Sequence, residues 1–146
     1  MNFKLSPAVQ YILLEDIEKL YQQLEVQIAG LNESGQPCRA CGACCDFESF
    51  GHRLYLTTPE LIYFSHYVGQ PLTVMTGGVC PYRIDGKCSV YPFRFAGCRI
   101  FQCKGDEAKQ GELSEAVIVQ FKQLCEQYNI AYRYVDLKTA LGMPFV

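Results

Sequence analysis

Apolar residues recur at steps of three and four over 7–29, where Val9, Leu13, Ile17, Leu20, Leu24 and Ile28 share one stripe. That spacing predicts an amphipathic helix. Ser6 and Pro7 suit its start, and Gly30 with the polar run 32–37 suits its stop and a following loop. A core-packing role is expected rather than a coiled-coil seam, because such seams persist over roughly three or more heptads. A second stripe, Val117, Phe121, Leu124, Cys125 and Tyr128, predicts a helix over 114–128, preceded by a charged surface turn at 104–112. Residues 130–135 alternate weakly enough to suggest a strand, and Asp136 to Leu141, with Gly142 behind, suits a closing helical turn.

Between these stripes, 38–103 loses any long period and holds four of the seven prolines, with glycines throughout. One short helix is legible there. Thr57, Thr58 and Pro59 make a start signal, Glu60 completes a Thr-x-x-Glu capping box, and Gly69 marks the end. Residues 52–56 before it suit a short strand.

Composition narrows the class. With 146 residues, 49% hydrophobic and 19% charged, the chain can build a core and is not disordered. Thirteen basic residues against fifteen acidic ones give no global field for nucleic acid or an anionic membrane, so neither partner is expected. A protein partner is left open. Glu15, Asp16 and Glu18 interrupt the N-terminal apolar stretch, which therefore reads as neither a secretory leader nor a span. The expected fold is a small, single helix-rich α+β domain over 1–146, with flanking amphipathic helices around an irregular cysteine-rich centre.

Cysteine is the one residue type far from ordinary usage, at nine of 146 and odd in number. In a cytosolic setting, the one expected here, this argues for metal ligands over disulfides, because the thiolate is a strong soft donor. Eight of the nine fall in two groups of four: Cys38, Cys41, Cys44 and Cys45, then Cys80, Cys88, Cys98 and Cys103. The run Cys38, Cys41, Cys44 reproduces the C-x2-C-x2-C spacing of bacterial ferredoxins. Cys45 cannot readily join its neighbour at one ion, since adjacent side chains diverge on a helix and point to opposite faces of a strand. The simplest partition has two sites: three ligands from the first group with one from the second, and Cys45 with the remaining three. Other partitions, and a single four-ligand site with additional redox-active thiols, stay open.

Local charge agrees with thiolates. Seven basic and four acidic residues lie within 38–104, whereas the rest of the chain is net negative. Arg94 and Arg99 bracket Cys98 and are the candidate contacts to sulfur or to a bound anionic cofactor. Tyr82 and Tyr91 are expected to shield the metal, and Cys125 to be an inert core thiol. His52, close after the first cysteine group, is a lesser candidate ligand, and His66 reads as a helix-face residue. The ferredoxin-like triplet favours an iron-sulfur cluster, while the wide spacings from Cys80 to Cys98 suit structural zinc equally well.

At these residues the chain resembles the YkgJ-like CxxCxxCC cysteine-cluster family, described as zinc- or iron-chelating domains. The matching elements are Cys38-x2-Cys41-Gly42-x-Cys44-Cys45, then Cys80-Pro81, Gly86-x-Cys88-x-Val90-Tyr91, and Arg94 with Cys98-Arg99-x-Phe101. The resemblance implies that all eight cysteines are ligands, with Cys103 just past the matched elements. One departure is Arg94-Phe95, where the family commonly has Arg-Pro. Flagellin lysine N-methylases contain a similar region, which implies a cluster-dependent modification enzyme as one alternative. The chain has no G-x-G-x-x-G unit for a nucleotide or S-adenosylmethionine, so that activity is not carried over. The expected function is a metal-binding protein with a redox, metal-handling or accessory role, and the other alternative is an interaction module held by structural zinc.

Overall fold

A computed structural model describes residues 5–31, 45–47, 53–101 and 107–143. It shows a helix-rich α+β fold. Helix α1 spans Pro7–Leu31, β1 Tyr55–Thr57 and α2 Thr58–Val68; strands β2 (Arg83–Ile84) and β3 (Lys87–Cys88) form a hairpin. A 3-10 turn at Tyr91–Phe93 leads into the short α3 (Ala96–Ile100), followed by α4 (Glu107–Tyr128), β4 (Tyr134–Asp136) and α5 (Leu137–Leu141). Among the described residues, no helix is long and apolar enough to cross a membrane.

The two long stripes form as their spacing predicts. Leu13, Ile17, Leu24 and Ile28 of α1 are buried against Val117, Phe121 and Leu124 of α4, with Leu20 half-buried beside them. Leu14 and Tyr21 widen the α1 stripe, so the buried face is broader than a coiled-coil seam. Helix α4 begins at Glu107, inside the stretch expected to be a surface turn. Ala108, Lys109, Gln110 and Glu112 are good helix formers, and exposed Gly111 is tolerated among them. Asn129, at φ 55°, takes the left-handed conformation that ends the helix, while Ile130 N–H donates to the Cys125 carbonyl.

Helix α2 is buried on two faces. Ile62 and Tyr63 pack into the α1/α4 core, whereas Leu61 and Phe64 face a second cluster built from Leu54, Leu56, Met75, Tyr82, Phe95 and α5. The expected capping box and its Gly69 stop are both present. Antiparallel pairing of β1 with β4, Leu56 opposite Val135, closes this second cluster beneath α5. The strand expected at 130–135 is shorter and later, because Arg133 is taken up by Thr58: Thr58 N–H donates to the Arg133 carbonyl, and Thr58 Oγ1 accepts from Arg133 N–H. The strand expected at 52–56 overlaps β1 only at Tyr55 and Leu56; residues 53 and 54 are outside the strand, and residue 52 lies outside the described residues. Gly97 lets α3 lie against Leu54, since a Cβ there would stand 2.5 Å from Leu54 Cδ1.

Candidate metal centre

Backbone register gathers the cysteines before any side chain is considered. Asp46 and Val79 form an antiparallel bridge, with Phe47 N–H donating to Gly78 O and Cys80 N–H to Cys45 O, both at 2.9 Å. One step along that register, Cys45 stands opposite Cys80, so both side chains project from the same face. The adjoining hairpin turns at Asp85 and Gly86, both with positive φ, as a two-residue primed turn requires. It sets Arg83 opposite Cys88.

The Cys45 thiol interacts with both Cys80 and Cys88, so sulfurs from the two sides of the Asp46–Val79 bridge and from β3 are drawn into one hub. Backbone amides are aimed at the same sulfurs. Tyr82 N–H is directed at Cys80 in the turn that follows it, where Arg83 N–H donates to the Cys80 carbonyl at 3.1 Å and also favours the thiolate, and Val90 N–H is directed at Cys88. These donors favour the ionised form. Cys88 is pulled down to about 6, first by the Cys45 hydrogen bond and then by Val90 N–H and the Arg94 guanidinium, against the cost of burial. Cys80 is also held below the ordinary thiol value by Cys45 and its two amides, against burial and the nearby Cys88 charge.

Arg94 links the hub to the fourth sequence candidate in reach. Its guanidinium lies 3.6 Å from the Tyr91 ring centroid, its Nη1 donates to the Cys98 carbonyl at 3.4 Å, and its charge acts on Cys88. Cys80 and Cys98 are both half-buried against the second apolar cluster. Tyr82 is buried there, edge-on to Phe64, and its hydroxyl accepts from Thr73 N–H. Arg99, expected at sulfur, is engaged by these groups: it lies over the Tyr21 ring, donates to the Arg94 and Pro92 carbonyls, and pairs with Glu25 at 3.1 Å. Glu25 also lies 3.6 Å from Arg94 and so joins the two arginines to α1.

Beneath α3 sits a buried carboxylate that sequence reasoning assigned only to a cap. Glu60 accepts from Thr57 N–H at 2.8 Å, Thr57 Oγ1 at 2.9 Å, Ala96 N–H at 2.6 Å and the Tyr21 hydroxyl at 3.3 Å. It thereby ties the first residue of the Cys98-bearing helix to α2 and α1. Burial raises its pKa even though each of these hydrogen bonds works the other way.

Cys38, Cys41, Cys44, Cys103 and His52 lie outside the described residues. Among the described residues, no group of three or more His, Cys, Asp or Glu stands at the spacing of a held metal ion, and no disulfide joins Cys45, Cys80, Cys88, Cys98 or Cys125. The hub is gathered at hydrogen-bonding range. Its chemistry nevertheless fits a soft metal: three sulfurs, two with depressed pKa, amides aimed at sulfur and a guanidinium to offset charge. Cys125 behaves oppositely, buried in the helical layer with its thiol pushed up to about 11 by burial. His66 is exposed at the end of α2, edge-on to Tyr67. No family model matches the chain, and neither the curated proteins nor the solved structures contain a match to it.

Proposed function

We propose that this chain is a metal-thiolate protein in which Cys45, Cys80, Cys88 and Cys98 hold one centre. The carrying observation is the three-sulfur hub with backbone N–H groups directed at Cys80 and Cys88. Ordinary core thiols lack such donors, and hydrogen bonds to sulfur are a principal means of tuning metal-thiolate centres. The C-x2-C-x2-C run of Cys38, Cys41 and Cys44, with Cys103, supplies a second set of four and supports an iron-sulfur cluster as the cargo. When bound, a cluster supplies one-electron redox capacity; the chain's own contribution is to orient thiolates and offset their charge. The corresponding role is redox transfer or metal handling.

A second reading, structural zinc holding an interaction module, is favoured by the sparse regular structure around the hub. From 69 to 95 the only elements are a hairpin with two-residue strands and one 3-10 turn, with a handful of buried apolar side chains. A metal staple would supply what that core lacks.

Anaerobic isolation followed by metal analysis and electron paramagnetic resonance separates the readings. Brown protein with iron and acid-labile sulfide supports the first, and colourless protein with stoichiometric zinc supports the second. Protein that takes up neither metal under reducing conditions rules out both.

A further inference from the structure

Among the described residues one buried side-chain nitrogen has no partner, and its residue pairs with Cys88 of the hub. Arg83 Nε is shielded from solvent without an acceptor. Buried donors are almost always satisfied, and a cationic one left orphaned is among the costlier omissions a fold can carry. Its surroundings say what is missing. Arg83 stands opposite Cys88 across the β2–β3 register, so the two side chains share one face of the hairpin, and the amide N–H of Arg83 donates to the Cys80 carbonyl at 3.1 Å. The backbone of Arg83 is thus tied to both Cys80 and Cys88, two of the three hub cysteines. The ion pairs of the described residues engage Arg94 and Arg99 with Glu25 and leave Arg83 out.

We infer that Arg83 is a positioning residue for the metal centre, its Nε–H donating to a metal-bound thiolate sulfur and its charge offsetting the negative centre. This rests on the metal-thiolate reading above. Four thiolates around a divalent ion carry two net negative charges, and a planar guanidinium with a free Nε–H supplies both charge and a directed donor. Arg94 contributes through its charge near Cys88. The arginine assigned to sulfur is therefore the one across the hairpin, alongside the charge of Arg94.

The test uses full-length, reduced, metal-free protein titrated with cobalt(II), whose thiolate charge-transfer band reports on the sulfur. Arg83→Met is expected to bind cobalt about 10- to 100-fold more weakly in chelator competition, the usual cost of removing such an outer partner. Its charge-transfer band should move to lower energy, because a sulfur that loses a hydrogen bond donates more readily. Arg83→Lys should recover affinity through its charge but leave the band displaced. Wild-type affinity and band position in Arg83→Met overturn the inference while leaving the metal reading intact; absence of cobalt binding by the wild type sinks both. Should the variants fail to fold, the Arg83 Hε resonance of wild-type protein decides the matter. It is expected to shift on cadmium loading, and an unmoved resonance refutes the contact.

Discussion

The helical layer and the cysteine hub lie on opposite faces of α2 and use cysteine in contrary ways. In the helical layer, Cys125 is 2% exposed and its thiol is driven up to about 11 by burial. At the hub, Cys88 is half-buried yet is pulled down to about 6. Burial opposes ionisation at both, so the difference comes from the donors: a thiol, an amide and a guanidinium at Cys88, none of which act on Cys125. Desolvation makes a core thiol inert, whereas desolvation offset by directed donors favours the thiolate, the form a soft metal would need.

The largest expected effect tests that contrast directly. In reduced, metal-free protein at pH 7 the two ionised fractions differ by roughly four orders of magnitude. Alkylation mapped by mass spectrometry should label Cys88 with a rate midpoint near pH 6 and leave Cys125 untouched until the fold opens. Equal labelling of both would erase the comparison. A depressed thiol pKa also fixes a sign for stability. Its contribution is complete above the ordinary thiol value and is lost as pH falls through about 6, so the metal-free hub should loosen over that interval.

Next in size is a change confined to the helical layer. Phe121 is fully buried and packs edge-on to Tyr21 at 5.8 Å between centroids. Phe121→Ala should cost about 3–5 kcal/mol in denaturant unfolding, from lost burial and the cavity left behind. Metal bound per folded molecule should stay at the wild-type level. Loss of metal from the folded variant would show that the two faces of α2 are not independent.

Glu60 joins the two regions, and its replacement should be felt in both. In Glu60→Gln an amide NH2 confronts donors from Thr57, Ala96 and Tyr21, at a cost of roughly 1–3 kcal/mol. Because Ala96 begins the helix that carries Cys98, metal affinity should fall as well. Burial raises the Glu60 pKa, so its stabilising contribution is complete below the ordinary carboxyl value and declines as pH rises through the raised one. The variant should lose that slope. A variant with unchanged stability and unchanged metal affinity would remove Glu60 from the architecture of the site.

How far these regions could be read in advance follows the same division. The helical layer was legible because a period of 3.6 repeats over about six turns of α1 and about four of α4, which lets Leu13, Ile17, Phe121 and Leu124 stand out by position alone. The hub's strands are two residues long and contain no repeat to detect; only the Asp85-Gly86 dipeptide marks the hairpin. Cysteine chemistry drew attention to Cys45, Cys80, Cys88 and Cys98. Pairing Cys45 with Cys80 needs the bridge at Asp46 and Val79, which lies 33 residues apart in sequence and leaves no local signature. Arg83 was counted only as one of seven local charges, since its importance comes from a cross-strand register and an unmet hydrogen bond. Glu60 announced one partner, Thr57, through the capping box; Ala96 and Tyr21 reach it from other elements.

The smallest effect concerns the edge of the second cluster. Asp136 caps α5, its carboxylate accepting from Thr139 N–H at 3.3 Å and from the Thr139 hydroxyl. Those bonds, the hydroxyl first, hold its pKa below the ordinary carboxylate value. Asp136→Ala should cost about 1 kcal/mol, the usual worth of an N-cap. The wild-type contribution is present above the ordinary carboxyl pKa and is lost as pH falls through the depressed one, so the difference between the two proteins should shrink toward acid. Leu137, Ala140 and Leu141 bury the inner face of α5 against Leu54 and Leu56 without help from the cap. Cobalt affinity of the hub should therefore remain that of the wild type. If instead it weakened with the cap, the hub would draw on α5 for support, and the contrast between a helical layer held by packing and a hub held by its own donors would have to move to a different boundary.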